Sequence, residues 1–190
     1  MTSVRVYHVG SANSISIAVA AQNGAGLQIS ARDDNWLGHG VYCWEDLTWA
    51  ERWYSKRWVT RKEEPDGLIL TAKANLDLLL DLTNRQDAAL FQEEALLSLD
   101  AIPNRRTRQA ANNRQRQQFL LDCQVAKSVQ GRLQGSRKCG LRMPFHLGPS
   151  LTTEGNFYTD QHLQVCLWDP SILQDLQLVP LQLDRLTLGS

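Results

Sequence analysis

Three short stretches hold the residue types that could do chemistry. Residues 7–11 read Tyr-His-Val-Gly-Ser and place His8 inside an apolar alternation. Residues 35–46 read Asn-Trp-Leu-Gly-His-Gly-Val-Tyr-Cys-Trp-Glu-Asp, and residues 162–170 read His-Leu-Gln-Val-Cys-Leu-Trp-Asp-Pro. A histidine can change charge near neutral pH and offers two distinct ring nitrogens. A tyrosine behind a Gly-His-Gly turn can wall a planar group. A glutamine on an alternating strand can hydrogen-bond without carrying charge. Each also has a plain structural reading. His8 beside Val4 and Val6 can be a satisfied core residue, Tyr42 can pack, and Gln164 can face water.

The elements that must position these residues follow from pattern and punctuation. Residues 4–9 read as a strand, and Ser11 or Asn13 can cap a helix that runs to 22 and stops at Asn23-Gly24. Residues 27–37 form a loop and 38–44 a short strand. A helix over 47–58 carries Ala50, Tyr54 and Trp58 at helical spacing, with Trp49 and Trp53 beside them. Pro65-Asp66-Gly67 marks a turn. Residues 68–74 and 76–80 read as two short strands or one broken strand. Thr83-x-x-Gln86 fits a capping box for a helix to about 99. A further helix spans 112–130, and 131–149 is loop-rich with one apolar stretch around Leu141. Residues 162–168 alternate cleanly as a strand, with Gln164, Cys166 and Trp168 on one face. A last strand over 176–183 holds Pro180 and so belongs on an edge. The sum is one mixed α+β domain over 1–190, with a basic helical insertion at about 104–142.

Composition narrows the classes. The chain has 190 residues, 43% hydrophobic and 21% charged, with formal net charge +0. These are globular values, and global disorder is excluded. No apolar run nears the ~18 residues that span a bilayer. No basic-then-apolar leader opens the chain, so a cytoplasmic location without membrane attachment is the expectation. The four cysteines show no metal or redox spacing, the histidines form no metal pattern, and neither a P-loop nor a GxGxxG fingerprint is present. No metal is therefore expected. Charge is segregated nonetheless. Residues 77–100 hold six acidic residues against Arg85, whereas 104–142 hold ten basic residues against Asp122. A solvated helix face explains such a run as well as attraction to phosphates does. The phosphate reading puts Arg105, Arg106, Arg108, Arg114 and Arg116 on a nucleic acid.

Taken together, the three stretches resemble the ADP-ribosyltransferase superfamily of the diphtheria-toxin and poly(ADP-ribose)-polymerase type. The matching positions are His8, Gly38-His39-Gly40-Val41-Tyr42 and Gln164, five residues before Asp169. The run from Tyr7 to Trp53 is also similar to a group of small bacterial proteins with a Trp-Leu-Gly-x-Gly-x-Tyr core. The resemblance covers roughly residues 4–59 and 157–179. It implies an ADP-ribosyltransferase-like split β-sheet core with flanking helices, and NAD as substrate.

The resemblance also implies roles. His8 would hold the adenosine ribose, and the Val9 backbone would bond the nicotinamide amide, with Gly10 and Gly40 beside the cofactor. Tyr42 would stack on the nicotinamide, with Trp53 as the second wall. Gln164 stands where the family carries a catalytic Glu, and Glu154 would help position the acceptor. Val9 departs from the usual Gly and Cys43 from the usual Phe. With an amide at 164, the expectation is a mono-ADP-ribosyltransferase rather than a polymer-forming enzyme. Nucleic acid, RNA or DNA, is favoured over protein as acceptor. A toxin or defence effector with a neutralising antitoxin or inhibitor protein would fit. The alternatives are a catalytically inactive NAD- or RNA-binding module of the same fold, an NAD glycohydrolase, or an enzyme moving a 2′-phosphate from RNA to NAD.

Overall fold

The structure is a computed structural model and describes residues 2–33, 35–61, 67–101, 114–150 and 158–180. Strand β1 (Ser3–Ser11) runs straight into helix α1 (Ala12–Ala21), whose first turn is capped by the Ser11 side chain accepting from the Ser14 amide. The helix ends on Gln22 in the left-handed conformation. After a loop comes β2 (Val41–Trp44), then α2 (Leu47–Tyr54), capped by Asp46 and continued by a π-helical turn over Ser55–Thr60. Strands β3 (Gly67–Asn75) and β4 (Leu79–Asp81) are split by a 3-10 turn. Helices α3 (Arg85–Ala101) and α4 (Arg114–Arg132) precede a long hairpin of β5 (Gly140–Ser150) and β6 (Tyr158–Leu167). Strand β7 (Gln174–Leu178) closes the described chain.

The seven strands form one mixed sheet in the order β4-β5-β6-β2-β1-β3-β7. Among the described strands, only β4 and β5 run parallel. Pairing is uneven along this order. β1 and β3 stay in register from Ser3↔Asn75 to Ser11↔Gly67. β1 and β2, the central neighbours, register only at Tyr7↔Trp44 and His8↔Cys43. The sheet is therefore two half-sheets joined by a short seam, and the strands part just past His8. This is the α+β, split-sheet architecture expected from the sequence.

Alternation along the registered strands sorts the core into two faces. Val6, Val41, Cys43, Leu70, Ala72, Val165 and Leu167 share one face, covered by Ile15 and Ala18 of α1. On the other face, α2 lays Ala50, Tyr54 and Trp58 over Val9, Trp44 and Ile69. Farther along that face, Val129 of α4 and Leu90 and Phe91 of α3 cover Leu80, Leu141 and Cys166.

Several sequence expectations need correction. Residues 140–150 are a strand, where a loop-rich segment was expected. The signal was masked by Pro144, which lies past the end of three-residue β4, where β5 has no neighbour on that side and its missing N–H costs no ladder bond. Helix α3 is capped by Asn84, which accepts from the Gln86 amide, whereas Thr83 bonds Asp81. The helix over 47–58 is α-helical only to Tyr54. The basic insertion ends before 140, because Arg142 belongs to β5. Among the described residues, no helix is long and apolar enough to cross a membrane.

Candidate active site

His8 sits where the two half-sheets part. It is 8% exposed, and its Nδ1 lies 2.8 Å from the Tyr42 carbonyl oxygen. A carbonyl only accepts, so Nδ1 carries the proton and Nε2 keeps its lone pair. Burial pushes the imidazole below its ordinary pKa of 6.5 and the charge of Arg57 adds to this, while the Tyr42 bond opposes both. The ring is thus a neutral acceptor at neutral pH. Gly10 keeps the space beside it open, since a Cβ there would lie 2.9 Å from Nε2.

Val9 comes next on β1, level with Tyr42, where the β1–β2 register stops. Its partner on β3 is Ile69, whose carbonyl accepts from the Val179 amide, on the side away from β1. In an antiparallel ladder a pair that does not exchange bonds turns its main chains outward. Val9 therefore turns its amide and carbonyl toward β2, to the side where the strands separate.

Tyr42 contributes to this junction through its main chain. Its hydroxyl accepts from the Leu37 amide at 3.0 Å and donates to the Gly38 carbonyl at 2.9 Å. Burial raises its pKa well above the ordinary tyrosine value. The ring thereby braces the loop that precedes β2. Gly38 takes φ +83°, a conformation that favours glycine, and Gly40 is wedged so tightly that a Cβ would lie 2.5 Å from Cys166 Sγ. Gly40 thus fits the loop against β6.

Gln164 lies on the face opposite His8, beside Trp44 and Tyr42 in register. It is 8% exposed, where the sequence left it facing either a cleft or water. Its Oε1 accepts from Trp36 Nε1 at 3.1 Å, and its Nε2 lies 2.8 Å from His162 Nε2. An indole N–H only donates, which fixes the amide orientation; the amide nitrogen then donates to His162. His162 stacks on Trp49 with centroids 4.0 Å apart and meets Phe145 edge-on at 5.3 Å. Phe145 in turn lies 4.4 Å from Trp36. Trp36, Phe145, His162 and Trp49 thus fill the seam between the two helical covers and hold one amide among them. These four residues were not assigned to the site from sequence. Only the i, i+2 spacing of His162 and Gln164 pointed to a shared face.

The remaining expected positions are Trp53, Glu154 and the arginines. Trp53 is 40% exposed and lies against Trp44, centroids 5.9 Å apart. Glu154, Arg105, Arg106 and Arg108 lie outside the described residues, and Arg114 and Arg116 open α4 with side chains outside them as well. Three described cations of the basic stretch, Arg132, Lys138 and Arg142, pair with acids of the 77–100 run, whereas Lys127 pairs with Asp33 at 3.9 Å. Arg132 pairs with Glu94, and Lys138 with Asp87 at 3.1 Å. Arg142 lies between Asp81, at 2.8 Å, and Glu45, whose Oε2 accepts at 3.0 Å. Partial burial would raise the Asp81 carboxyl, yet the bonds from Thr83 and Arg142 hold it below the usual carboxylate value. Among the described residues, no group of three or more His, Cys, Asp or Glu could hold a metal ion.

Comparison of the chain with protein-family models, with curated proteins and with solved structures finds no match.

Proposed function

We propose that this protein is a mono-ADP-ribosyltransferase that uses NAD and transfers ADP-ribose to a nucleic acid. The observation that supports this most is the junction at His8. A neutral imidazole whose Nε2 lone pair lies beside Gly10 suits a ribose hydroxyl donor. The Val9 main chain, turned to the same parting, suits the planar carboxamide of nicotinamide. An extended dinucleotide across the parting strands would meet His8 from one face and Gln164 from the other.

The reaction breaks the bond between the nicotinamide ring nitrogen and ribose C1′. Nicotinamide leaves neutral with the bonding pair. A lone pair of the acceptor forms the new bond to C1′, and the acceptor's proton passes to solvent. The positive character at C1′ resembles that of glycoside cleavage, so holding both groups in line matters more than a strong base. An amide at Gln164 can accept from or donate to the ribose without adding charge. By the resemblance, an amide where the family carries Glu points to single transfers.

The test is incubation of the pure protein with NAD labelled in its adenylate part, RNA and DNA, with nicotinamide release measured in parallel. Label in a nuclease-sensitive fraction, lost in His8→Ala, is the expected result. Nicotinamide release without label transfer would make the protein an NAD glycohydrolase. Binding without release would make it an inactive module of the same fold.

A further inference from the structure

Beyond the junction at His8, α2 and its π-helical continuation present an aromatic and cationic surface of which the NAD resemblance uses only Trp53. Residues 47–61 hold Arg52, Lys56, Arg57 and Arg61 against one acid, Glu51. Cations lie over indole faces along this segment. Arg52 is 4.7 Å from the Trp49 ring centroid, Lys56 is 5.7 Å from that of Trp53, and Arg57 is 4.5 Å from that of Trp58. Trp58 is buried, but Trp53 is exposed, and so are Arg52 and Lys56. The line has a direction. Trp49 stacks on His162, and His162 accepts from Gln164. A chain of contacts thus links this face to the buried amide at the candidate centre.

We infer that this face of α2 is a docking track for single-stranded nucleic acid, with Trp53 as an open stacking platform and Lys56 moving from its ring to a phosphate. Bases stack on any exposed indole regardless of sequence, and neighbouring cations follow the backbone. The inference names the acceptor surface of the proposed transferase and rests on that reading only for the link to Gln164. A lipid surface also takes tryptophan and basic residues, but it draws on a broad apolar face. Here the buried indole Trp58 and Tyr54 face the sheet, and a single exposed indole with a cation beside it suits one base and one phosphate.

The experiment measures binding of a short fluorescein-labelled oligouridine to the pure protein by anisotropy, without NAD, over a range of salt. Saturable binding that weakens with salt is expected. Trp53→Ala should lower affinity roughly tenfold, and Trp53→Phe should restore most of it. Lys56→Gln should reduce the log–log salt slope by about 0.7. Circular dichroism confirms that each variant is folded. Equal affinity of Trp53→Ala and the parent protein would overturn the inference. So would equal affinity for a duplex, or binding to anionic phosphatidylserine vesicles with none to the oligonucleotide. Because no NAD is present, failure here is separate from failure of the transferase reading.

Discussion

His8 and His162 lie on opposite faces of one sheet, 8% and 7% exposed, and both have Nε2 free of a proton in their observed bonding. At His8 the other nitrogen is anchored on the Tyr42 carbonyl, and Nε2 faces the space that Gly10 leaves open. At His162 the same atom accepts from Gln164, whose oxygen is held by Trp36. The difference teaches where to look for a ligand. A lone pair used inside an aromatic cluster makes that cluster specific in shape. A lone pair held rigid beside a glycine, with no donor assigned to it, is ready for a donor from elsewhere.

Breaking the cluster should cost the most stability. Trp36→Ala removes an indole from Phe145 and the donor from Gln164, and should destabilise the fold by about 3 kcal/mol in denaturant unfolding. His8→Ala should instead lower NAD affinity at least roughly tenfold in calorimetry, with a smaller stability loss of about 1 kcal/mol. If both substitutions acted on stability alone, the contrast between the two regions would be gone.

Gln164→Glu sharpens the comparison. A carboxylate still accepts from Trp36 but no longer donates to His162, which must then turn a proton toward it. The His162 ring should therefore titrate at higher pH in the variant than in the parent, read by the pH dependence of its proton chemical shifts. Turnover should change as well. Identical His162 titration in the two proteins would separate Gln164 from His162 in solution.

His8 contributes a pH effect of its own. Because its folded pKa lies below the ordinary 6.5, the unfolded chain takes up a proton that the folded chain refuses. The stability contribution is whole above about pH 6.5 and is lost as pH falls below it toward the folded value. His8→Asn should flatten this part of the stability profile. The smallest effect is expected from Gly10→Ala, whose methyl would crowd Nε2. It should weaken NAD binding several-fold and shift stability by less than about 1 kcal/mol.

Much of the fold was readable as local pattern. The β1–α1 start follows from alternation and capping chemistry, which offered Ser11 or Asn13 as cap, and the structure uses Ser11. The face shared by Gln164 and Cys166 follows likewise, because side-chain period in a strand is fixed. β5 was hidden because its Pro144 reads as a breaker until one knows that β4 stops short of it. The pairing between the charge blocks was hidden for the same reason. Sequence shows the acidic and basic runs as separate tracts, and only the fold brings Lys138 to Asp87 and Arg142 to Asp81 and Glu45.

By itself the sequence determined most element types but not β5, the two faces of the strand that carries Gln164, and the presence of His8, Tyr42 and Gln164 in that order. The tertiary structure decided how these residues are used. It joined β1 and β2 by two registered pairs, so that His8 meets the Tyr42 carbonyl at the parting. It also gathered Trp36, Trp49, Phe145 and His162, from four separate parts of the chain, around one amide. Strand register and helix placement are long-range properties. They depend on which apolar faces bury one another, and no local spacing encodes that choice.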